Sequence, residues 1–147
     1  MEVNDALVDE KTKVIFAETY PLLTHSYAAM VTSGTATLET ALFRVPQVVC
    51  YYMACGRVVS FLRRLVLKVR HISLVNLVAD REVVRELVAA EMTLQNVIAE
   101  LGALLPEGGE KRTAMLGEYS RMMEILGKPG ASGRAAEKIV SLLKGFQ

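Results

Sequence analysis

The chain has 147 residues, of which 52% are hydrophobic and 22% charged, and its formal net charge is +1. This length and composition are typical of a globular domain with a sizeable core. The near-zero charge argues against a strongly basic nucleic-acid-binding protein, so we expect no nucleic-acid partner.

Cysteines and apolar runs narrow the class further. Cys50 and Cys55 are too few for a disulfide framework and are not spaced as zinc ligands, so we interpret both as buried or semi-buried thiols in a reducing cytoplasm. The first residues lack the apolar core of a signal peptide, and no apolar stretch reaches the ~18 residues that span a bilayer. We therefore predict a protein that is soluble or peripheral to a membrane.

The first half of the chain alternates short apolar runs with helical patterns, which indicates a parallel α/β sheet. Pro21 suits the first turn of one predicted helix, and Pro46 marks the end of the next. The predicted strands are 13–17, 28–32 and 47–52, and the predicted helices are 20–26 and 35–44.

The second half is predicted to be mostly helical, because its apolar residues recur at helical spacing. We expect an extended segment at 71–76 and turns at 106–109 and 128–133. The predicted helices are 56–68, 81–90, 93–105, 111–126 and 134–144. The helix at 93–105 should bury Leu94, Val97, Ile98, Leu101, Leu104 and Leu105, and the next helix should turn Met115, Tyr119, Met122 and Met123 inward.

The predicted sheet is narrow for this much helix, since a free-standing doubly wound domain has more strands. We therefore expect the chain to be the carboxyl-terminal part of a larger enzyme. The expected organisation is a linker or truncated element at 1–12, an incomplete α/β domain at 13–105 and carboxyl-terminal helices at 106–147.

The most informative motif is Ser-Gly-Thr-Ala-Thr-Leu-Glu at 33–39, between a predicted strand and a predicted helix. Gly34 would let the backbone approach a ligand, while Ser33, Thr35 and Thr37 add hydroxyls near the free amides of the first helical turn. Glu39 lies one turn further on and could accept a hydrogen bond from a sugar hydroxyl. The motif indicates a nucleotide or nucleotide sugar; the alternative is a capped helix with Glu39 as a surface charge.

Other candidate groups have weaker patterns. Asn76 offers an amide in a predicted loop before a helix. The charges of Arg81, Glu82, Arg85 and Glu86 are interpreted as ion pairs on a solvated surface. The basic residues at 63–71 could lie on an anionic membrane surface, although a packed helix with a solvated basic face fits them better. His25 and His71 are interpreted as structural.

Three stretches, 33–42, 46–53 and 72–87, together resemble the carboxyl-terminal domain of lipid-A-disaccharide synthase in order and spacing, from about Val14 to Leu105. The resemblance implies an α/β fold, namely a partial Rossmann-like parallel sheet of a GT-B carboxyl-terminal domain followed by a helical tail. It implies an inverting, metal-independent hexosyltransferase of lipid A and lipopolysaccharide biosynthesis in a Gram-negative bacterium, with no cofactor. The enzyme would transfer 2,3-diacylglucosamine from UDP-2,3-diacylglucosamine to 2,3-diacylglucosamine 1-phosphate and release UDP.

In this family the turn at Gly34 and Thr35 would face the donor's phosphates, and Glu39 would face the uridine ribose. The resemblance implies the following donor-binding residues: Ser33, Gly34, Thr35, Thr37, Glu39, Tyr51, Tyr52, Met53 and Asn76. Two positions depart from the family pattern. Val75 stands where the family usually has proline, which would loosen the segment before Asn76, and Tyr52 stands where a basic residue is common.

The family keeps its acceptor site and catalytic base in an amino-terminal domain, so we expect this chain to bind the donor only and to lack transferase activity and catalytic residues. The expected partners are the UDP-sugar donor, a lipid acceptor, the missing amino-terminal domain and a second copy that exchanges helices. We expect a cytoplasmic protein peripheral to the inner membrane, with some contact to the membrane surface. The alternatives are a non-catalytic α/β interaction module and another GT-B nucleotide-sugar enzyme.

Overall fold

The computed structural model describes residues 11–32, 34–51, 71–127 and 130–144. Among the described residues, helices and strands alternate as far as residue 88, and only helices follow. The helices are α1 (Thr19–His25), α2 (Gly34–Leu42), α3 (Leu74–Ala79), α4 (Leu94–Gly102), α5 (Glu110–Leu126) and α6 (Ala131–Lys144), and the strands are β1 (Ala29–Val31), β2 (Gln47–Tyr51) and β3 (Glu86–Val88). A short 3₁₀ helix, Ala89–Glu91, follows β3.

The strands form one parallel sheet in the order β1-β2-β3. Val49 of β2 stands opposite Val31 of β1 and Glu86 of β3, so the first strand ends level with the start of the third. Tyr51 extends beyond this level and pairs with Val88. The predicted fold class, a partial Rossmann-like parallel sheet followed by a helical tail, is confirmed.

The core lies around the central strand. Residues 48–50 of β2 are almost fully buried, as a central parallel strand requires. The helix α5 belongs to the same core, because Met115, Tyr119 and Met122 are buried in one cluster with β2. Three of the four residues predicted to turn inward are therefore buried, whereas the fourth, Met123, is only partly buried.

Several elements match their sequence predictions. Pro21 lies in the first turn of α1, and Thr93 caps α4 by accepting a hydrogen bond from the amide of Asn96 at 3.2 Å. The helix α2 ends at Leu42, two residues before the predicted end, because Arg44 adopts a left-handed backbone conformation with φ of 59°. Cys50 is buried as expected.

Three predicted elements were wrong. Residues 13–17 form no strand: within the described residues they pair with no other strand, and Phe16 is 60% exposed. The predicted extended segment at 71–76 contains the start of α3, which Ser73 caps. The predicted helix at 81–90 contains β3, because its paired valines and leucine fit a buried strand as well as a helix.

Two further expectations need correction. The predicted apolar stripe of the helix at 93–105 is only partly buried: Val97 and Leu104 are inside, whereas Leu94, Ile98 and Leu105 are at least half exposed. The last helix begins at Ala131, earlier than predicted. The predicted linker residues 1–10 and the predicted helix at 56–68 lie outside the described residues.

Candidate functional site

The amino terminus of α2 follows closely on the carboxyl end of β1, with Thr32 and Gly34 on either side of position 33. A Cβ added at Gly34 would lie 3.6 Å from the carbonyl oxygen of Ile72 and 3.7 Å from the hydroxyl oxygen of Tyr51. The start of α2, the end of β2 and the segment before α3 therefore meet at the carboxyl edge of the sheet, where open α/β sheets bind their ligands.

The first turn of α2 consists of Gly34, Thr35, Ala36 and Thr37 and carries no acidic side chain. The backbone amides that point out of a helix start, together with the helix dipole, favour an anion at such an end. Thr35 is exposed there, whereas Thr37 is fully buried. The Thr37 hydroxyl donates to the carbonyl oxygen of Gly34 at 2.5 Å, so this side chain stabilises the turn from inside.

Glu39 is half-buried on the same helix and lines a groove of about 280 Å³ between α1, β1 and α2. Thr32, just before α2, and Ala36, in its first turn, also line the groove. Among the described residues that line it, Glu39 alone is charged. The groove therefore extends from the first turn of α2 to a single carboxylate.

Tyr51 lies at the end of β2, and its hydroxyl group lies beside Gly34. Its hydroxyl oxygen is buried and has no hydrogen-bond partner among the described residues. Burial raises the pKa of the Tyr51 hydroxyl, and the negative charge of Glu86 raises it further. The hydroxyl therefore stays protonated at neutral pH and keeps its hydrogen available for donation.

Asn76 lies inside α3, not in the predicted loop, and is fully buried. Its Oδ1 accepts hydrogen bonds from the amides of Val83 and Val84 at 2.8 and 2.9 Å. Its Nδ2 donates to the carbonyl oxygen of Val84 at 2.8 Å and to Glu86 at 2.9 Å. Both oxygen lone pairs and both hydrogens are thus used within the chain, so Asn76 orders the entry into β3.

Glu86 was not singled out from the sequence as a residue with a specific role. The sequence interpretation placed it among solvated ion pairs, yet its carboxylate accepts hydrogen bonds from Ile72, Ser73 and Asn76. The neighbouring charges do form surface pairs, but with different partners: Arg81 pairs with Glu118, and Arg85 pairs with Glu82 and Glu91. The signal in the sequence was Ser73, three residues before Asn76. A serine at this spacing caps a helix start, and the backbone amides there need a hydrogen-bond acceptor.

The predicted site residues divide into three groups. Gly34, Thr35, Glu39 and Tyr51 lie around the start of α2, at the edge of the sheet or along the groove beside it. Thr37 and Asn76 are buried behind them. Ser33, Tyr52 and Met53 lie outside the described residues, as does Cys55. No set of three or more His, Cys, Asp or Glu residues in the described ranges is arranged to hold a metal ion.

Comparison with known proteins identifies the family. Residues 2–137 match the family model described as lipid-A-disaccharide synthetase. The chain belongs to this family. The resemblance carried by the three stretches of sequence is therefore confirmed.

Similar proteins are lipid-A-disaccharide synthases from several bacteria. The chain is 38% identical over 133 residues to the one from Syntrophus aciditrophicus, a match that covers 90% of this chain and 34% of that protein. It is 42% identical over 119 residues to the one from Myxococcus xanthus, covering 80% of this chain and 30% of that protein. It is 38% identical over 135 residues to the one from Solibacter usitatus, covering 90% of this chain and 34% of that protein. The chain thus spans about one third of the length of these relatives.

No helix in the described ranges is both long enough and apolar enough to cross a bilayer.

Proposed function

We propose that this chain supplies the donor-binding part of a lipid-A-disaccharide synthase. The complete enzyme would be an inverting, metal-independent hexosyltransferase that moves 2,3-diacylglucosamine from its UDP donor to 2,3-diacylglucosamine 1-phosphate. Family membership supports the reaction, and the start of α2 supports the role of this part.

The observation that carries the proposal is the arrangement of Gly34 and Glu39 on one helix. Gly34 opens the helix at the sheet edge, and Glu39 lines the groove beside it. The two residues are separated by a rise of about 7.5 Å along the helix axis, which is comparable with the span from a diphosphate to the ribose that carries it. The donor diphosphate would bind the first-turn amides, and Glu39 would accept hydrogen bonds from the ribose hydroxyls.

This arrangement would also assist the reaction. When the glycosidic bond to the diphosphate breaks, negative charge grows on the departing UDP. The fixed amide dipoles of α2, together with the hydroxyls of Thr35 and Tyr51, would stabilise that charge in the transition state more than in the ground state. Ser33, Tyr52 and Met53 remain proposed contacts of the donor, whereas Thr37 and Asn76 would act by holding the backbone in place.

The remaining partners are proposed from the family and from the surface. The acceptor site and the catalytic base would lie in an amino-terminal domain, and the assembled enzyme would sit at the cytoplasmic face of the inner membrane. Ile139, Val140, Leu142 and Leu143 of α6 are each at least half exposed, which supports the exchange of helices between two copies. A clean monomer in light scattering at high concentration would contradict that exchange.

Titration with UDP, followed by amide chemical shifts of the isotope-labelled chain, tests the proposal. We expect shifts that cluster at Gly34, Thr35 and Glu39, with weaker effects from uridine, which lacks the diphosphate. The absence of binding at millimolar UDP would favour the alternative of a non-catalytic interaction module. Formation of disaccharide by the isolated chain would contradict the expectation that this part only binds the donor.

A further inference from the structure

Glu86 is unusual because its single carboxylate, at the start of β3, accepts hydrogen bonds from four donors within residues 72–76. The amide of Ile72 lies 3.0 and 3.1 Å from its two oxygens, and the amide and hydroxyl of Ser73 lie at 2.9 and 2.8 Å. The fourth donor is Nδ2 of Asn76, at 2.9 Å. A carboxylate held this way is a fixed part of the fold, unlike a surface charge.

The carboxylate lies at the amino end of α3, where the helix dipole favours negative charge. The starts of α2 and α3 both lie near Gly34, since the carbonyl of Ile72 is 3.6 Å from the position of an added Cβ there. Glu86 supplies α3 with an internal anion. The first turn of α2, by contrast, carries no acid of its own.

The same contacts connect Glu86 to the surface that would face a ligand. By holding the amide of Ile72, Glu86 fixes the position of the Ile72 carbonyl against Gly34. Its negative charge also raises the pKa of the Tyr51 hydroxyl, which lies 3.7 Å from the same added Cβ. Glu86 therefore holds one neighbour of Gly34 by a hydrogen bond and acts on the other through its charge.

We propose that Glu86 is a positioning residue of the donor site, which closes the start of α3 to phosphate, fixes Ile72 against Gly34 and so directs the donor's diphosphate to the start of α2. The inference rests on the proposed function, because it assumes that a diphosphate binds there. Glu86 itself touches no phosphate in this arrangement, since two carboxylate oxygens would repel it.

The direction in which Glu86→Gln changes the affinity for UDP distinguishes a positioning role from a purely electrostatic one. If Glu86 were only a nearby negative charge, its removal would strengthen the binding of the anion UDP. If it positions Ile72 and Gly34, the glutamine loses charge-assisted bonds, turns an amide group toward backbone donors and loosens the site. We expect the Kd for UDP to rise by about tenfold, within the range of effects that residues behind a binding site produce.

The matched control is Glu82→Gln, which removes the same charge four residues away, where the carboxylate is exposed and pairs with Arg85 at 3.4 Å. We expect its Kd for UDP to stay within about twofold of the wild-type value. The amide resonance of Gly34 in the ligand-free chain gives a second readout. It should move in Glu86→Gln and stay in place in Glu82→Gln, whereas a role confined to capping α3 would move only the resonances of residues 72–76.

The outcomes separate the two proposals. If the wild-type chain binds no UDP, the proposed function fails and the inference fails with it. If the wild-type chain binds UDP and folded Glu86→Gln binds equally well or more tightly, the inference alone is overturned. If Glu86→Gln does not fold, Ser73→Ala decides, because it removes only the 2.8 Å hydroxyl contact and the helix cap; unchanged UDP affinity in that variant overturns the inference.

Discussion

The side-chain amide nitrogen of Gln47 donates a hydrogen bond to the hydroxyl of Tyr119 at 3.1 Å and another to the carbonyl oxygen of Thr37 at 2.9 Å. Gln47 begins β2, Thr37 lies in α2, and Tyr119 lies in the middle of α5. All three are fully buried. The first helix of the tail is thus joined to the sheet and to the site helix by polar contacts inside the core, where their geometry is strongly specified.

Replacing Tyr119 with phenylalanine should lower the free energy of unfolding by about 1 kcal/mol, because the Val45 carbonyl and the Gln47 amide each lose a partner. Urea denaturation of the two proteins measures this difference. Tyr20→Phe is the control, since Tyr20 is 58% exposed and its change should stay within about 0.5 kcal/mol. An unchanged stability in Tyr119→Phe would show that these contacts contribute nothing net.

Tyr119 should also make stability depend on alkaline pH. Burial raises the pKa of its hydroxyl, and the hydrogen bond from Gln47 lowers it by less. The folded chain therefore keeps this proton above the ordinary tyrosine pKa of about 10, at which the unfolded chain loses it. This contribution is fully present below about pH 10 and is lost as the pH rises above that value.

The Tyr119→Phe variant has no such proton to lose. The difference in free energy of unfolding between the wild-type protein and this variant should therefore shrink as the pH rises. A wild-type advantage of about 1 kcal/mol at pH 8 should vanish by about pH 11, where ionisation of the unfolded chain offsets roughly 1.4 kcal/mol. Urea unfolding at several pH values measures the gap. A constant difference across this range would contradict the prediction.

Gly34→Ala should separate binding from stability. The added Cβ would meet its neighbours at ordinary contact distances, so the fold should tolerate it with a change below about 1 kcal/mol. The methyl group would nevertheless fill the space through which a phosphate approaches the amides, and we expect the Kd for UDP to rise by about tenfold.

Gly117→Ala is the matched control, because Gly117 lies inside α5 and nothing lies within 4 Å of its added Cβ. It should raise the free energy of unfolding by about 0.5–1 kcal/mol and leave UDP affinity unchanged. Calorimetric titration and thermal denaturation measure both quantities. Wild-type affinity in Gly34→Ala would show that the ligand does not approach this backbone.

The parts of the fold that could be predicted are those that local chemistry specifies. β2 is a continuous apolar run after a proline, and α2 follows a glycine turn, so both were found with small errors at their ends. β3 could not be found this way. Its course depends on Asn76, whose Oδ1 holds the amides of Val83 and Val84 from a helix that precedes them in the chain. The spacing of apolar residues does not predict side-chain hydrogen bonds of this kind.

The site shows the same division. Gly34 and Glu39 were proposed because their residue types and positions suit a ligand, and Tyr51 was implied by the resemblance to the family. In the structure the Tyr51 hydroxyl lies beside Gly34, and Glu39 lines the groove next to α2. Glu86 was misinterpreted because arginines and glutamates alternate around it, which is typical of a solvated surface. Only the fold shows that its carboxylate faces α3 while its neighbours face solvent.

Glu39→Gln tests the proposed ribose contact. A neutral amide accepts a weaker hydrogen bond than a carboxylate, so the Kd for UDP should rise by roughly five- to tenfold. Binding of inorganic pyrophosphate, which has no ribose, should be unchanged or slightly stronger. Glu107→Gln, at an exposed turn, is the control and should affect neither ligand. Equal losses for UDP and pyrophosphate would contradict a contact between Glu39 and the ribose.

Asn76→Asp should destabilise the chain by about 3 kcal/mol or more, because it replaces a donor by an acceptor that faces Glu86 and the Val84 carbonyl at 2.9 and 2.8 Å. Asn96 offers a closely matched control. It also occupies the third position of a helix whose cap residue accepts its amide, but it is exposed. Asn96→Asp should change stability by less than about 1 kcal/mol, since an acid in a first helical turn is favoured there.

A double-mutant cycle then shows whether Asn76 and Glu86 act together. If the repulsion between two acids causes the loss, Glu86→Gln should recover part of it in the Asn76→Asp background, with an interaction energy of about 1–3 kcal/mol. Urea denaturation of the four proteins measures that energy. Strict additivity would mean that the two side chains contribute separately, and the order of α3 and β3 would then have to come from the backbone contacts alone.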